Sequence, residues 1–119
     1  MLFRSMVAKR QELMKTNGGT LKTAGTLTGA DAVKAAETLI ADFSDLTVLW
    51  PEGSDKVAGS EAKAEIWTNY SAFQDILKQG VINATAMKAA AEAGDAAAYG
   101  ASIKAIGGLC GQCHQQFRA

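Results

Sequence analysis

Histidine and cysteine are nearly missing from this chain. One His and two Cys occur among its 119 residues. A structural zinc site normally takes four Cys or His ligands, so three cannot complete one. Proline occurs once, and almost nothing therefore forbids helix. Neither sign of charge is in excess, with 12 basic and 12 acidic side chains and a formal net charge of zero. That excludes the basic surplus by which nucleic-acid binders attract phosphate, and the basic face that holds a helix on a membrane surface. No run of about 18 apolar residues is present, so no segment reads as membrane-spanning. What remains is a hydrophobic fraction of 48%, enough for the core of one ordinary domain over residues 1–119.

All three scarce residues fall in one pentapeptide, Cys110-Gly111-Gln112-Cys113-His114. The pattern C-x-x-C-H is a c-type haem attachment signal. Each thiol can add across one vinyl group of a haem, giving two thioether bonds, and the following imidazole can bind the iron from one side. On a helix, positions i, i+3 and i+4 share a face, so all three groups can meet one flat cofactor. Two other readings are weaker. A thioredoxin-like C-x-x-C sits near a βαβ pattern, whereas the preceding residues 96–109 are rich in Ala and Gly. A plain Cys110–Cys113 disulfide gives the sole histidine no role.

The hydrophobic rhythm predicts four helices. The first spans about 2–27, with Met6, Leu13 and Leu21 on its apolar side. Asn17-Gly18-Gly19 either interrupts it or lets a neighbour approach closely, and Gly29 is a candidate cap. The second spans about 31–49, with Val33, Ala36, Ile40, Phe43, Thr47 and Trp50 three or four apart and Leu39 and Leu46 widening the stripe. Pro51 and Gly53 then open the longest connection. The third spans about 61–92, its seam carried by Ile66, Tyr70, Phe73, Leu77, Ala84, Met87 and Ala91, with Gly80 in the missing position. Gly94 and Asp95 read as C-cap and N-cap. The fourth spans about 96–118, with Ile103, Ile106, Cys110, Cys113 and Phe117 as its seam. Gly107 and Gly108 offer either close helix packing or room for a porphyrin edge. Short connections imply an all-α, antiparallel up-down-up-down four-helix bundle with covalently attached haem.

At this point the chain resembles the cytochrome c′ family over nearly its whole length. Arg10-Gln11-Glu12-Leu13-Met14 is similar to that family's Arg-Gln-x-x-apolar signature in the first helix. Glu65-Ile66-Trp67 followed by Phe73 is similar to its Glu-Ile-Trp…Phe stretch. Gly107-Gly108-x-Cys110-x-x-Cys113-His114-x-x-Phe117-Arg118 resembles its haem-attachment tail. Two departures stand out: the connection Gly25-Thr26-Leu27-Thr28-Gly29 is short, and Lys63 is not followed by the usual proline. The resemblance implies that Cys110 and Cys113 hold one haem c and that His114 is the proximal iron ligand. It implies that Arg10 and Gln11 approach the haem carboxylates and that Arg118 lies near His114. Met14 falls at the position facing the distal side of the haem. A thioether there serves either as a second iron ligand, raising the potential, or as an adaptable core filler; the sequence leaves both open.

The expected function is one-electron transfer between redox partner proteins. The alternative is a five-coordinate haem protein that binds small gases such as nitric oxide or carbon monoxide. A haem-free helical interaction protein is the third reading. No paired carboxylates or nucleophile–base arrangement points to an enzyme. Met1–Val7 lacks a long apolar stretch and a cleavage site. The expectation is therefore a mature chain whose haem was attached outside the bacterial cytoplasm, in the periplasm. The family resemblance implies a homodimer through the first two helices.

Overall fold

The computed structural model describes residues 3–118. Helix α1 covers Phe3–Ala24, α2 Gly29–Leu46, α3 Glu65–Thr68, α4 Tyr70–Ala93 and α5 Ala96–Phe117, with one 3-10 turn at Ser54–Lys56. The four long helices form an up-down-up-down bundle, as the periodicity predicts. The expected first residue of α1, Leu2, lies outside the described residues.

Several boundaries differ from the sequence reading, each for a local reason. Asn17-Gly18-Gly19 does not interrupt α1. A side chain at Gly18 or Gly19 would meet nothing within 4 Å, so no neighbour comes close there either. Gly29 opens α2 with φ +58 rather than closing α1. The second helix stops at Leu46, and Thr47 caps it.

The third predicted helix is divided. Residues 61–64 are not helical, because Ala62 pairs with Arg118 in an isolated antiparallel bridge and the Lys63 N–H donates to the Phe117 carbonyl at 2.8 Å. Asn69, at φ −129 and ψ 49, then breaks the path between α3 and α4. The expected face of α4 is kept beyond the break, with Phe73, Leu77, Gly80, Ala84 and Met87 buried, and the departure is at its start. Tyr70, expected in the seam, is 40% exposed, while Ile76 and Ala90 are buried. The turn between α4 and α5 follows its expected caps: Gly94 takes φ +68, and Asp95 Oδ1 accepts from the Ala98 N–H at 3.0 Å.

The core is built mainly by α2 packing on α4. Leu39, Leu46, Ile66, Phe73, Leu77, Met87 and Ile106 are fully buried, each contributing roughly 1.5–3 kcal/mol through apolar burial. Leu39 and Leu46, expected at the edge of the α2 stripe, sit at its centre. Gly80 is required here. A Cβ at that position would come within 2.7–2.8 Å of three Phe43 ring atoms, so α2 and α4 approach at van der Waals contact. Trp50 stacks edge-on against Phe73 (centroids 4.6 Å apart), and Phe73 against Phe117 (5.2 Å), a favourable aromatic geometry.

Helices α1 and α5 are antiparallel and share few close contacts, one of them between the end of α1 and the start of α5. There the buried Tyr99 hydroxyl donates to the Ala24 carbonyl at 2.9 Å. Towards the other end, residues of both helices line a cleft.

Candidate functional site

The cleft has a volume of about 450 Å³, within the range of small-molecule and cofactor sites. Helix α1 supplies Arg10, Gln11, Met14 and Lys15; α5 supplies Cys113, His114, Phe117 and Arg118. Trp50, Ile66 and Phe73 form an apolar floor, and Gly59, Glu61 and Ala62 form the rim. Six of the expected residues, namely Arg10, Gln11, Met14, Cys113, His114 and Arg118, therefore meet at one place. Cys110 lies one helical turn before Cys113, half-buried against the core.

The two α1 polar residues hold the loop that follows α2. Arg10 is buried, only 3% exposed. Its Nη1 donates to the Leu49 carbonyl at 3.1 Å and to Ser54 Oγ at 2.7 Å. Its Nη2 donates to the Ser54 carbonyl at 3.2 Å and to Ser60 Oγ at 3.1 Å. The guanidinium also lies 4.3 Å from the centroid of the Trp50 ring, a cation–π contact. Burial lowers its pKa from the ordinary arginine value, opposed by the charge of Asp55; the group stays cationic. Gln11 Nε2 donates to the Gly59 carbonyl at 2.8 Å. The fold thus places the loop 49–60 over the cleft by means of α1.

The other side of the loop is held by α5. Besides the backbone bridge at Ala62, Arg118 Nε donates to Glu61 in an exposed ion pair. The Arg118 N–H closes the last turn of α5 on the His114 carbonyl. His114 itself is exposed towards the cleft, whereas Cys113 is buried. Both cysteines are free thiols. Burial raises the Cys110 pKa; burial together with neighbouring Cys110 pushes Cys113 up to about 11. These are neutral thiols at neutral pH rather than ready thiolate ligands. Among the described residues, no group of three or more His, Cys, Asp or Glu side chains could hold a bare metal ion.

This donor set fits a haem. Two neutral thiols and an imidazole lie within one turn of one helix, a thioether from α1 lines the same cleft as Cys113 and His114, and the floor of that cleft is apolar and aromatic. Gly107 and Gly108 are exposed, and a Cβ on either would touch nothing within 4 Å. Close helix packing is therefore not their role. Met14 is half-buried and lines the cleft from α1. Among the described residues, no helix is long and apolar enough to cross a membrane.

Sequence reasoning missed the floor, the rim and Lys15. Trp50 and Phe73 carried a signal as apolar seam positions, but nothing in their spacing points to a cleft. Lys15 does follow a rule: it stands four residues after Gln11, on the same helical face.

Three comparisons bear on the chain as a whole. The profile of the family described as Cytochrome C′ matches residues 5–118. A cytochrome c′ of Rhodospirillum rubrum is 36% identical over 118 residues, covering 98% of this chain and 78% of that one. A cytochrome c-556 of Agrobacterium tumefaciens is 34% identical over 123 residues, covering 94% and 95%. The solved nitrosyl complex of a variant of cytochrome c prime from Alcaligenes xylosoxidans shares the fold, with a TM-score of 0.87 at 21% identity and coverage of 100% and 98%.

Proposed function

The chain belongs to the cytochrome c′ family, and from that premise we propose that it carries one electron at a time between redox partner proteins in the periplasm. It is a c-type cytochrome with covalent haem c as cofactor. When bound, the haem supplies an iron that gains and loses a single electron.

The residues divide the remaining work. Cys110 and Cys113 would hold the porphyrin through thioether bonds. His114, exposed on the same turn, would supply an imidazole ligand to the iron. Met14, lining the same cleft from α1, would supply a thioether ligand that raises the reduction potential. Trp50, Ile66 and Phe73 exclude water from the floor, and Arg10 and Gln11 shape the side on which the porphyrin carboxylates lie. Arg118 keeps the last turn of α5 beside His114 against the rim.

The observation that supports this reading is that Met14 of α1 and His114 of α5 line one cleft. The test is the spectrum of the haem-loaded protein. A low-spin iron with a sulfur–iron charge-transfer band, converted to high spin by Met14→Leu, supports it. A high-spin native spectrum that Met14→Leu leaves unchanged sinks Met14 as a ligand. The absence of a reversible one-electron wave sinks electron transfer.

The gas-binding reading has support of its own: a variant of the Alcaligenes protein of the same fold forms a nitrosyl complex, and the floor here is apolar. It predicts five-coordinate iron, with Met14 only packing. Rapid binding of carbon monoxide by the reduced protein would then be seen without loss of a sulfur ligand.

A further inference from the structure

Three cations and one carboxylate line the cleft: Arg10, Lys15 and Arg118 against Glu61. The excess of two positive charges suits a porphyrin with two carboxylates. The cations are nevertheless not equally free to meet it. Arg10 has four N–H bonds already engaged with Leu49, Ser54 and Ser60. Arg118 is paired with Glu61, and the Gln11 amide N–H is engaged with Gly59. Among the described residues, Lys15 alone of the cleft cations makes neither a hydrogen bond nor an ion pair. It is exposed and stands one residue from Met14. Its ammonium sits on a flexible four-carbon stem with three donors.

We propose that Lys15 binds a haem carboxylate directly, through a charge-assisted hydrogen bond, beside Arg10, most of whose donors are committed to the loop 49–60. This rests on the haem reading above. It assigns the positioning of the cofactor edge to a residue that neither the C-x-x-C-H motif nor the Arg10-Gln11 pair includes. A cation at that edge stabilises the reduced iron, which carries one positive charge fewer, and so raises the potential.

The test compares haem-loaded Lys15→Gln, Lys15→Arg and Lys22→Gln with the native protein. Lys22 is an exposed α1 lysine that does not line the cleft. Lys15→Gln should shift the reduction potential to more negative values, well beyond the shift in Lys22→Gln. Lys15→Arg should restore it. The carboxylate bending band in the resonance Raman spectrum should move in Lys15→Gln and stay in place in Lys22→Gln. Equal potentials in Lys15→Gln and Lys22→Gln, with an unmoved band, overturn the proposal. Loss of haem loading in Lys15→Gln that Lys15→Arg restores supports it, and loss in both overturns it. A native chain that never takes up haem in a maturation-competent host fails the parent haem reading instead, so the two failures are distinct.

Discussion

Replacing Arg10 by methionine tests how the cofactor end of the bundle is held. The native guanidinium makes four hydrogen bonds to three residues of the following loop. Hydrogen bonds to a charged group contribute about 1.5–3 kcal/mol each, a gross loss of about 6–12 kcal/mol. Methionine removes the cost of burying a cation, several kcal/mol, and its stem still packs on Trp50. The net loss should be about 3 kcal/mol. For a domain of this length, 1 kcal/mol corresponds to about 4 °C. Helical ellipticity followed on heating the haem-loaded variant should therefore show a Tm lower by about 12 °C. Ser54→Ala, which removes one acceptor, should cost about 1–2 kcal/mol. The two changes should couple by about 1 kcal/mol or more, because they share a bond. An Arg10→Met protein melting within about 2 °C of native, or additive with Ser54→Ala, refutes the clamp.

Other predictions concern single positions. Asp42 is buried on α2 with an unpartnered Oδ2; burial, then Asp45, raises its pKa, with Lys9 opposing and Glu12 adding. Because the folded value lies above the unfolded one, the native state binds the proton more tightly, and stability falls as pH rises through that raised value. Asp42→Asn should therefore stabilise by about 1 kcal/mol at pH 7 and by progressively less in acid, as measured by urea melts across pH; a destabilised variant at pH 7 contradicts this. Gly80→Ala should destabilise by about 1–2 kcal/mol, the strain against Phe43 outweighing the gain in helix propensity. A variant more stable than native would show that α2 yields. Glu61→Gln breaks an ion pair whose side chains are 56% and 52% exposed, and its Tm should move by less than about 4 °C.

How far the sequence reveals this molecule depends on the range of the forces involved. The α5 seam was legible because Ile106, Cys113 and Phe117 are buried by a rhythm internal to one helix. Gly94 and Asp95 were legible because a cap acts within a few residues. The break at Asn69 was not, since neither Gly nor Pro marks it, and nor was the pairing of Ala62 and Lys63 with the far end of α5. Arg10 read, by resemblance, as a partner of the haem carboxylates. What engages it stands 39 to 50 residues away, and no local pattern reports such a distance. Lys15 was invisible for the same reason, since its freedom is defined only by its neighbours' commitments.

The Tyr99–Ala24 contact has a mechanical consequence. It lies 14 residues before Cys113 along α5, so a rigid arm of about 21 Å runs from that fulcrum to the buried thiol. Tilting such an arm by about 5° displaces its far end by about 2 Å, comparable to a metal–ligand bond length. Loss of the Tyr99 hydroxyl, at the opposite pole of the molecule, is therefore expected to alter the spacing between the sulfur of Met14 and the imidazole of His114 to the extent that α4 lets α5 tilt.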